Sequence, residues 1–272
     1  MSRLPSIIRL HVVLAFASSL AALRLPAQIA VLSNTVEERV AAPGEAYAGR
    51  ITIQNSGSSA ETIRLYQTDY RFSADGTSNF DAAGKQTRSN AAWISLQSPQ
   101  VTVPPGSTVS VPYSVNVPAS DTLRGSFWSV IMVEGATKPA NVAAPQHGRV
   151  EVGLGTVIRY AVQVATHIGT SGARAVKFTK AGAVASDSSA AIELDVNDVG
   201  ERAYRPVLWA EVYDASGAIR GKAKQSRGLL YPGSSLRQHF EFGKLPSGTY
   251  KAVIFADTGE DTVYASQYTI VF

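Results

Sequence analysis

From Val150 to Val164 the chain places Val150, Val152, Leu154, Thr156, Ile158, Tyr160, Val162 and Val164 at every second position. The other parity holds Glu151, Gly153, Gly155, Arg159 and Gln163, together with Val157 and Ala161. A period of two belongs to a strand, whose side chains point alternately to opposite faces. The pattern predicts one strand over 150–164, against a usual length of about five or six residues. A long strand with an unbroken apolar row demands neighbours. Either it crosses between two sheets and is used internally, or its edge is offered to another chain.

The remaining sequence has the same texture. Arg50 to Gln54 alternates and stops at Asn55-Ser56-Gly57, a turn signal. Residues 29–41 read as a first strand before Pro43-Gly44, and Val109 to Val117 alternates with Pro112 inside it. That proline predicts an edge position or a bulge. Phe127 to Val133 is nearly all apolar, as in a central strand. The polar stretch Ser73 to Asn90 reads as a loop over one end of a sheet, and Gly135 to Gly148 as an aperiodic loop. After His167-Ile168-Gly169-Thr170, short strands and Pro-Gly or Ser-Gly turns recur at roughly 10–12-residue spacing, which suits an immunoglobulin-like sandwich.

The chain of 272 residues is long enough for two such domains. The expected class is all-β: two immunoglobulin-like β-sandwiches in tandem after a signal peptide. The divisions are 1–27 as signal peptide, 28–168 as first domain, 169–174 as linker and 175–272 as a second immunoglobulin-like or fibronectin-like domain. The leader carries Arg3 and Arg9 ahead of an apolar run from His11 to Leu23, too short to span a bilayer comfortably. An exported protein without membrane insertion after leader removal follows, periplasmic in the first instance and surface or extracellular as the alternative.

Composition narrows the chemistry. The formal charge of +4 falls to +1 once Arg3, Arg9 and Arg24 are set aside, since 22 basic then face 21 acidic residues. Such a balance gives no electrostatic reason to expect nucleic acid. No cysteine is present, which excludes disulfides, thiolate metal sites and a cysteine nucleophile. His147, His167 and His239 are far apart without metal-ligand spacing, and no Gly-x-Ser-x-Gly elbow occurs. Neither an enzyme, a metal nor a cofactor is expected. Asp257-Thr258-Gly259-Glu260-Asp261 reads as a solvated turn, and Arg220, Lys222 and Lys224 as one face of a strand protected by charge.

Several short motifs occur in a telling order. Glu38-Arg39-Val40 precedes Pro43-Gly44; Ile51-Thr52-Ile53-Gln54-Asn55 follows; then come Trp93, Pro99, Pro105-Gly106, Ser126-Phe127-Trp128 and Leu154-Gly155-Thr156-Val157-Ile158-Arg159. In that order residues 29–165 resemble the N-terminal domain of PapD-like periplasmic pilus chaperones. Val133-Glu134-Gly135 stands where that family has Ile-Pro-Pro, and residues 175–272 match only as a generic sandwich.

The resemblance implies an ATP-independent periplasmic chaperone that binds incomplete, β-rich pilus-type subunits by strand addition. It implies Arg39 and Arg159 as the cations that anchor a partner carboxylate, and Val150, Val152, Leu154 and Ile158 as the donated row. Without the resemblance, both arginines read equally well as solvated strand residues. A homodimer through the long strand stays open. So does a different class of function, a non-enzymatic envelope or surface module that binds glycan or another envelope component.

Overall fold

The computed structural model describes residues 28–135, 157–185 and 189–272. Val150, Val152 and Leu154 lie outside the described residues, as does almost all of the Gly135–Gly148 loop.

The first domain contains β1 (Ile29–Val31), β2 (Val36–Ala41), β3 (Ala46–Asn55), β4 (Glu61–Thr68), the short hairpin β5 (Arg71–Phe72) and β6 (Ser78–Asn79), β7 (Ile94–Leu96), β8 (Gln100–Val103), β9 (Thr108–Asn116), β10 (Gly125–Gly135) and β11 (Arg159–Ile168). One sheet has the order β1-β3-β9-β7, and the facing sheet β2-β11-β10-β4-β8. Between them pack Ile51, Ile53, Ile63, Leu65, Val115 and Val133, each the inward member of an alternating strand.

Three expectations are modified here. Residues 29–41 form two strands in different sheets. β1 pairs antiparallel with β3, and β2 pairs parallel with β11. The crossing falls at the polar Ser33-Asn34-Thr35, where Ser33 Oγ accepts the Thr52 N–H at 3.2 Å. Second, the strand expected over 150–164 begins, among the described residues, at Arg159 and runs on to Ile168, so it reaches the linker. Val157 and Ile158 precede it in no regular structure. Third, the Ser73–Asn90 segment has its own scaffold. The buried Asp69 carboxylate accepts N–H groups of Gly84, Lys85 and Gln86 and the Ser89 hydroxyl. Pro112 does sit at a local edge: β7 covers β9 only from Tyr113 to Val115.

The second domain contains β12 (Val176–Ala185), β13 (Ala190–Asp198), β14 (Val207–Tyr213), β15 (Ile219–Ser226), β16 (Ser235–Glu241), β17 (Thr249–Asp257) and β18 (Val263–Val271). The sheet β12-β13-β16 faces the sheet β15-β14-β17-β18 over Ile192, Leu194, Val212, Phe240 and Ile254.

The two sandwiches share a small core of their own, formed by Trp128, Ala165, Ala203, Leu229 and Tyr231. Trp128 and Tyr231 stack at 4.6 Å with planes 15° apart. Both polar tips are satisfied: Trp128 Nε1–H donates to the Tyr70 carbonyl at 2.6 Å, and Tyr231 O–H to Gln163 Oε1 at 2.8 Å. The linker is held by Arg202, whose guanidinium donates to the carbonyls of Gly169 and Ser171, both at 2.9 Å. At Gly125 (φ +76°) the backbone passes so close to Glu201 that a Cβ would stand 2.0 Å from its carbonyl oxygen. Glycine is therefore required there both for its left-handed φ and for the missing side chain. The acidic turn after β17 is also tied to the linker. Arg174 pairs with Glu260 at 3.4 Å and donates to the Thr258 carbonyl at 2.5 Å.

Candidate functional site

β11 has β10 beside it along its whole length, in register from Arg159↔Glu134 to Ile168↔Gly125. On its other side β2 runs only from Gln163↔Val36 to Ile168↔Ala41. The Gln163 N–H donates to the Thr35 carbonyl at 2.8 Å. Backbone groups of a strand alternate sides, so residues of the same parity as Gln163 face away from β10. Arg159 and Ala161 share that parity. Among the described residues, no strand meets their N–H and C=O groups on that side. The opening exists because the chain leaves one sheet for the other between β1 and β2. Leu32, at that crossing, is 55% exposed, and Ile158, just before β11, is 44% exposed. Tyr160 marks the inner wall of the opening, its hydroxyl donating to the Ile29 carbonyl at 2.8 Å.

The two arginines expected to act as a pair do not converge. Arg39 lies opposite Thr166, seven residues along β11 from Arg159. At about 3.3 Å per residue that is roughly 23 Å. Seven is also odd, so their side chains leave opposite faces of the sheet. Arg159 Nε donates to Glu134 Oε2 at 2.6 Å, beside the Tyr66 hydroxyl on the same oxygen. These partners, Tyr66 first, hold the Glu134 carboxyl below the usual carboxylate range. Arg39 is exposed on β2 without an ion pair among the described residues. It lies close enough to Tyr47 and Tyr113 to favour their ionised forms, although burial outweighs it and raises both phenols.

Under the Arg39 face lies a buried polar knot. Thr166 Oγ1 meets the Tyr47 hydroxyl at 2.7 Å and accepts from Asn90 Nδ2 at 3.0 Å. Asn90 also donates to the Val164 carbonyl and accepts from Ser129 Oγ. With every member paired, the knot stiffens this end of β11.

On the opposite face a clasp joins the domains. Glu38 binds Arg205 of the second domain at 2.5 Å and His167 Nε2 at 3.3 Å. His167 Nδ1 is 2.7 Å from Ser126 Oγ, which in turn accepts the Ala203 N–H at 2.9 Å. The hydrogen bond to His167, reinforced by Arg205, lowers the Glu38 carboxyl from 4.5 to about 2. Ser126, His167 and Glu38 have the order of a nucleophile, a base and an orienting carboxylate. Ser126, however, is fully buried and its oxygen is committed to the Ala203 N–H, so a substrate carbonyl has no path to it. This trio serves as an interdomain contact. Sequence reasoning missed it because its members are separated by 88 and 41 positions, and only the placement of His167 on β11 rather than in the linker assembles them.

The chain is thus a two-domain β-sandwich protein in which, among the described residues, a strand crossing leaves part of the β11 edge without a second neighbouring strand, beside exposed Leu32 and Ile158. No family model matches the chain, and no curated protein matches it. Among solved structures the chain is similar to fimbrial chaperones over most of its length. The class 5 fimbriae chaperone CfaA matches with a TM-score of 0.45 and 10% identity, covering 88% of this chain and 98% of that one. The Escherichia coli chaperone DraB matches at 0.40 and 13% identity, over 90% of this chain and 95% of that one. A Salmonella enterica SafA pilin–SafB chaperone complex contains a match at 0.41 and 9% identity, over 88% and 95%. Among the described residues no helix is long and apolar enough to cross a membrane.

Proposed function

We propose that this chain is an ATP-independent, chaperone-like protein of the periplasm that captures incomplete β-sandwich, pilus-type subunits by strand addition. The observation that carries the reading is that, among the described residues, the first part of β11 has a neighbouring strand on one side only. Arg159 and Ala161 present main-chain donors and acceptors beside exposed Leu32 and Ile158, while Gln163 to Ile168 are already paired with β2. Main-chain bonds to an incoming strand give affinity, and alternate side chains give selectivity. Ile158, and the apolar positions 150, 152 and 154 before it, would supply the row that fills a client's unfinished core. Of the two arginines, Arg39 is the one without an ion pair among the described residues and so the one to take a client carboxylate, since Arg159 is engaged by Glu134.

Hydrogen exchange resolved to single amides tests this, on the isolated protein and on the complex purified from its native envelope. The Ala161 amide should exchange quickly in the isolated chain and become protected in the complex, while Gln163 is protected in both. Slow exchange at Ala161 without a partner would mean that the edge is closed internally, and the reading would fail.

A further inference from the structure

The outer face of the second domain carries a second arrangement with a recognisable chemistry. Trp209 on β14 and Phe255 on β17 are cross-strand neighbours, their rings 4.8 Å apart with planes only 9° from parallel. That separation equals the spacing of adjacent strands, so both rings stand upright on the sheet, face to face. Phe255 covers one face of the indole. The other face turns toward β15, and there a groove of about 380 Å³ opens, lined by Trp209, Val207, Ala223, Lys222, Lys224 and Asp257. Its volume falls in the lower part of the ~300–1,000 Å³ range of small-molecule sites.

The charges around the groove are unequal. Lys222 is held by Glu211 at 2.9 Å, and Arg220 by Asp214 at 2.5 Å. Lys224, directly opposite Trp209 in the register, has no carboxylate partner among the described residues. Asp257 closes the far end, opposite Val207, with one oxygen taken by the Gly259 N–H at 2.7 Å. The groove thus offers an aromatic wall, one unpaired ammonium and one carboxylate acceptor.

We propose that this groove binds a saccharide that carries a carboxylate. A pyranose ring has an apolar face of C–H bonds, which suits the electron-rich face of an indole, and a rim of hydroxyls that can both donate and accept. Asp257 accepts from a hydroxyl, and Lys224 meets the sugar carboxylate in a charge-assisted bond. A purely apolar occupant would bury both charged groups without partners, which is costly. The proposal is independent of the β11 edge, since the groove lies on the outer sheet of the other domain.

The test is calorimetric titration of the full mature chain with trigalacturonate and with its fully methyl-esterified form, which keeps the rings and removes the charge. Trigalacturonate should bind the wild type more tightly than the ester. Lys224→Gln should weaken the acid about tenfold, the effect of losing one charge-assisted bond, and leave the ester unchanged. Trp209→Ala should weaken both by at least about tenfold. Trp209→Leu, which keeps apolar bulk on the sheet, guards against misfolding, with the thermal midpoint as control. Absence of binding heat at millimolar saccharide would overturn the proposal. So would equal affinity for acid and ester, or binding indifferent to both Trp209 variants.

Discussion

The substitution Ala161→Pro isolates the proposed function from stability. The Ala161 N–H lies on the side of β11 away from β10, so a proline there removes no bond of the β10–β11 ladder. Proline is tolerated at such edge positions, and Tyr160 before it is already extended, as the residue preceding a proline prefers. The folded protein should therefore lose no more than about 1 kcal/mol, with proline's narrow φ as the main source of cost. An incoming strand would suffer more. It loses one main-chain bond, about 0.5–1.5 kcal/mol net, and leaves its own carbonyl desolvated and unpaired, about 1–3 kcal/mol. Together these amount to roughly 1.5–4.5 kcal/mol, or about 10- to 1,600-fold in affinity.

The assay is recovery of partner from native envelope by the tagged wild type, by Ala161→Pro and by Ala161→Val, with thermal midpoints measured in parallel. A β-rich partner retained by the wild type and by Ala161→Val, but lost from a stably folded Ala161→Pro, fits an added strand. Equal retention by Ala161→Pro would refute the reasoning, since no strand could then be pairing at that position.

Other consequences can be measured directly. Arg39→Ala should weaken partner capture while Arg159→Ala changes it little, because Arg159 is engaged in a local contact with the largely buried Glu134; capture assays on both variants decide. Glu38 has its carboxyl lowered from 4.5 to about 2, chiefly by His167. A depressed folded-state value contributes stability that is present above pH 4.5 and is lost as pH falls toward 2. Denaturant titrations across that window should show the loss in the wild type and a flatter profile in Glu38→Gln. Asp198 behaves in the opposite sense: burial pushes its carboxyl up to about 7, and Oδ2 has no hydrogen-bond partner among the described residues. Ionising it costs stability increasingly as pH rises from about 4 to 7, so Asp198→Asn should raise the melting temperature at pH 8 and change it little at pH 4. Trp128→Ala should cost about 3–5 kcal/mol and uncouple the domains, visible as two calorimetric transitions in place of one.

The class of fold was legible in the residues. Alternation at Arg50–Gln54 and Val109–Val117 and the nearly continuous apolar run Phe127–Val133 map onto β3, β9 and β10, and the second half yields seven strands with turns at Gly217 and Gly233. Period two, turn glycines and an inward apolar parity are local properties, so a sequence displays them. The same local logic showed that β11 would be alternating and apolar on one face.

What the sequence could not display was which edge stays unpaired and which polar side chains meet. Residues 29–41 look continuous as a strand, yet the crossing at Ser33–Thr35 leaves Arg159 and Ala161 without a neighbour from β2. Arg39 and Arg159 looked like a pair until the register set them seven residues apart on opposite faces. Glu38, Ser126, His167 and Arg205 have no common pattern along the chain, and neither do Trp209, Phe255 and Lys224. Periodicity determines which face of a strand is buried. Pairing partners and register depend on where the other strands lie, and that is a property of the folded chain as a whole.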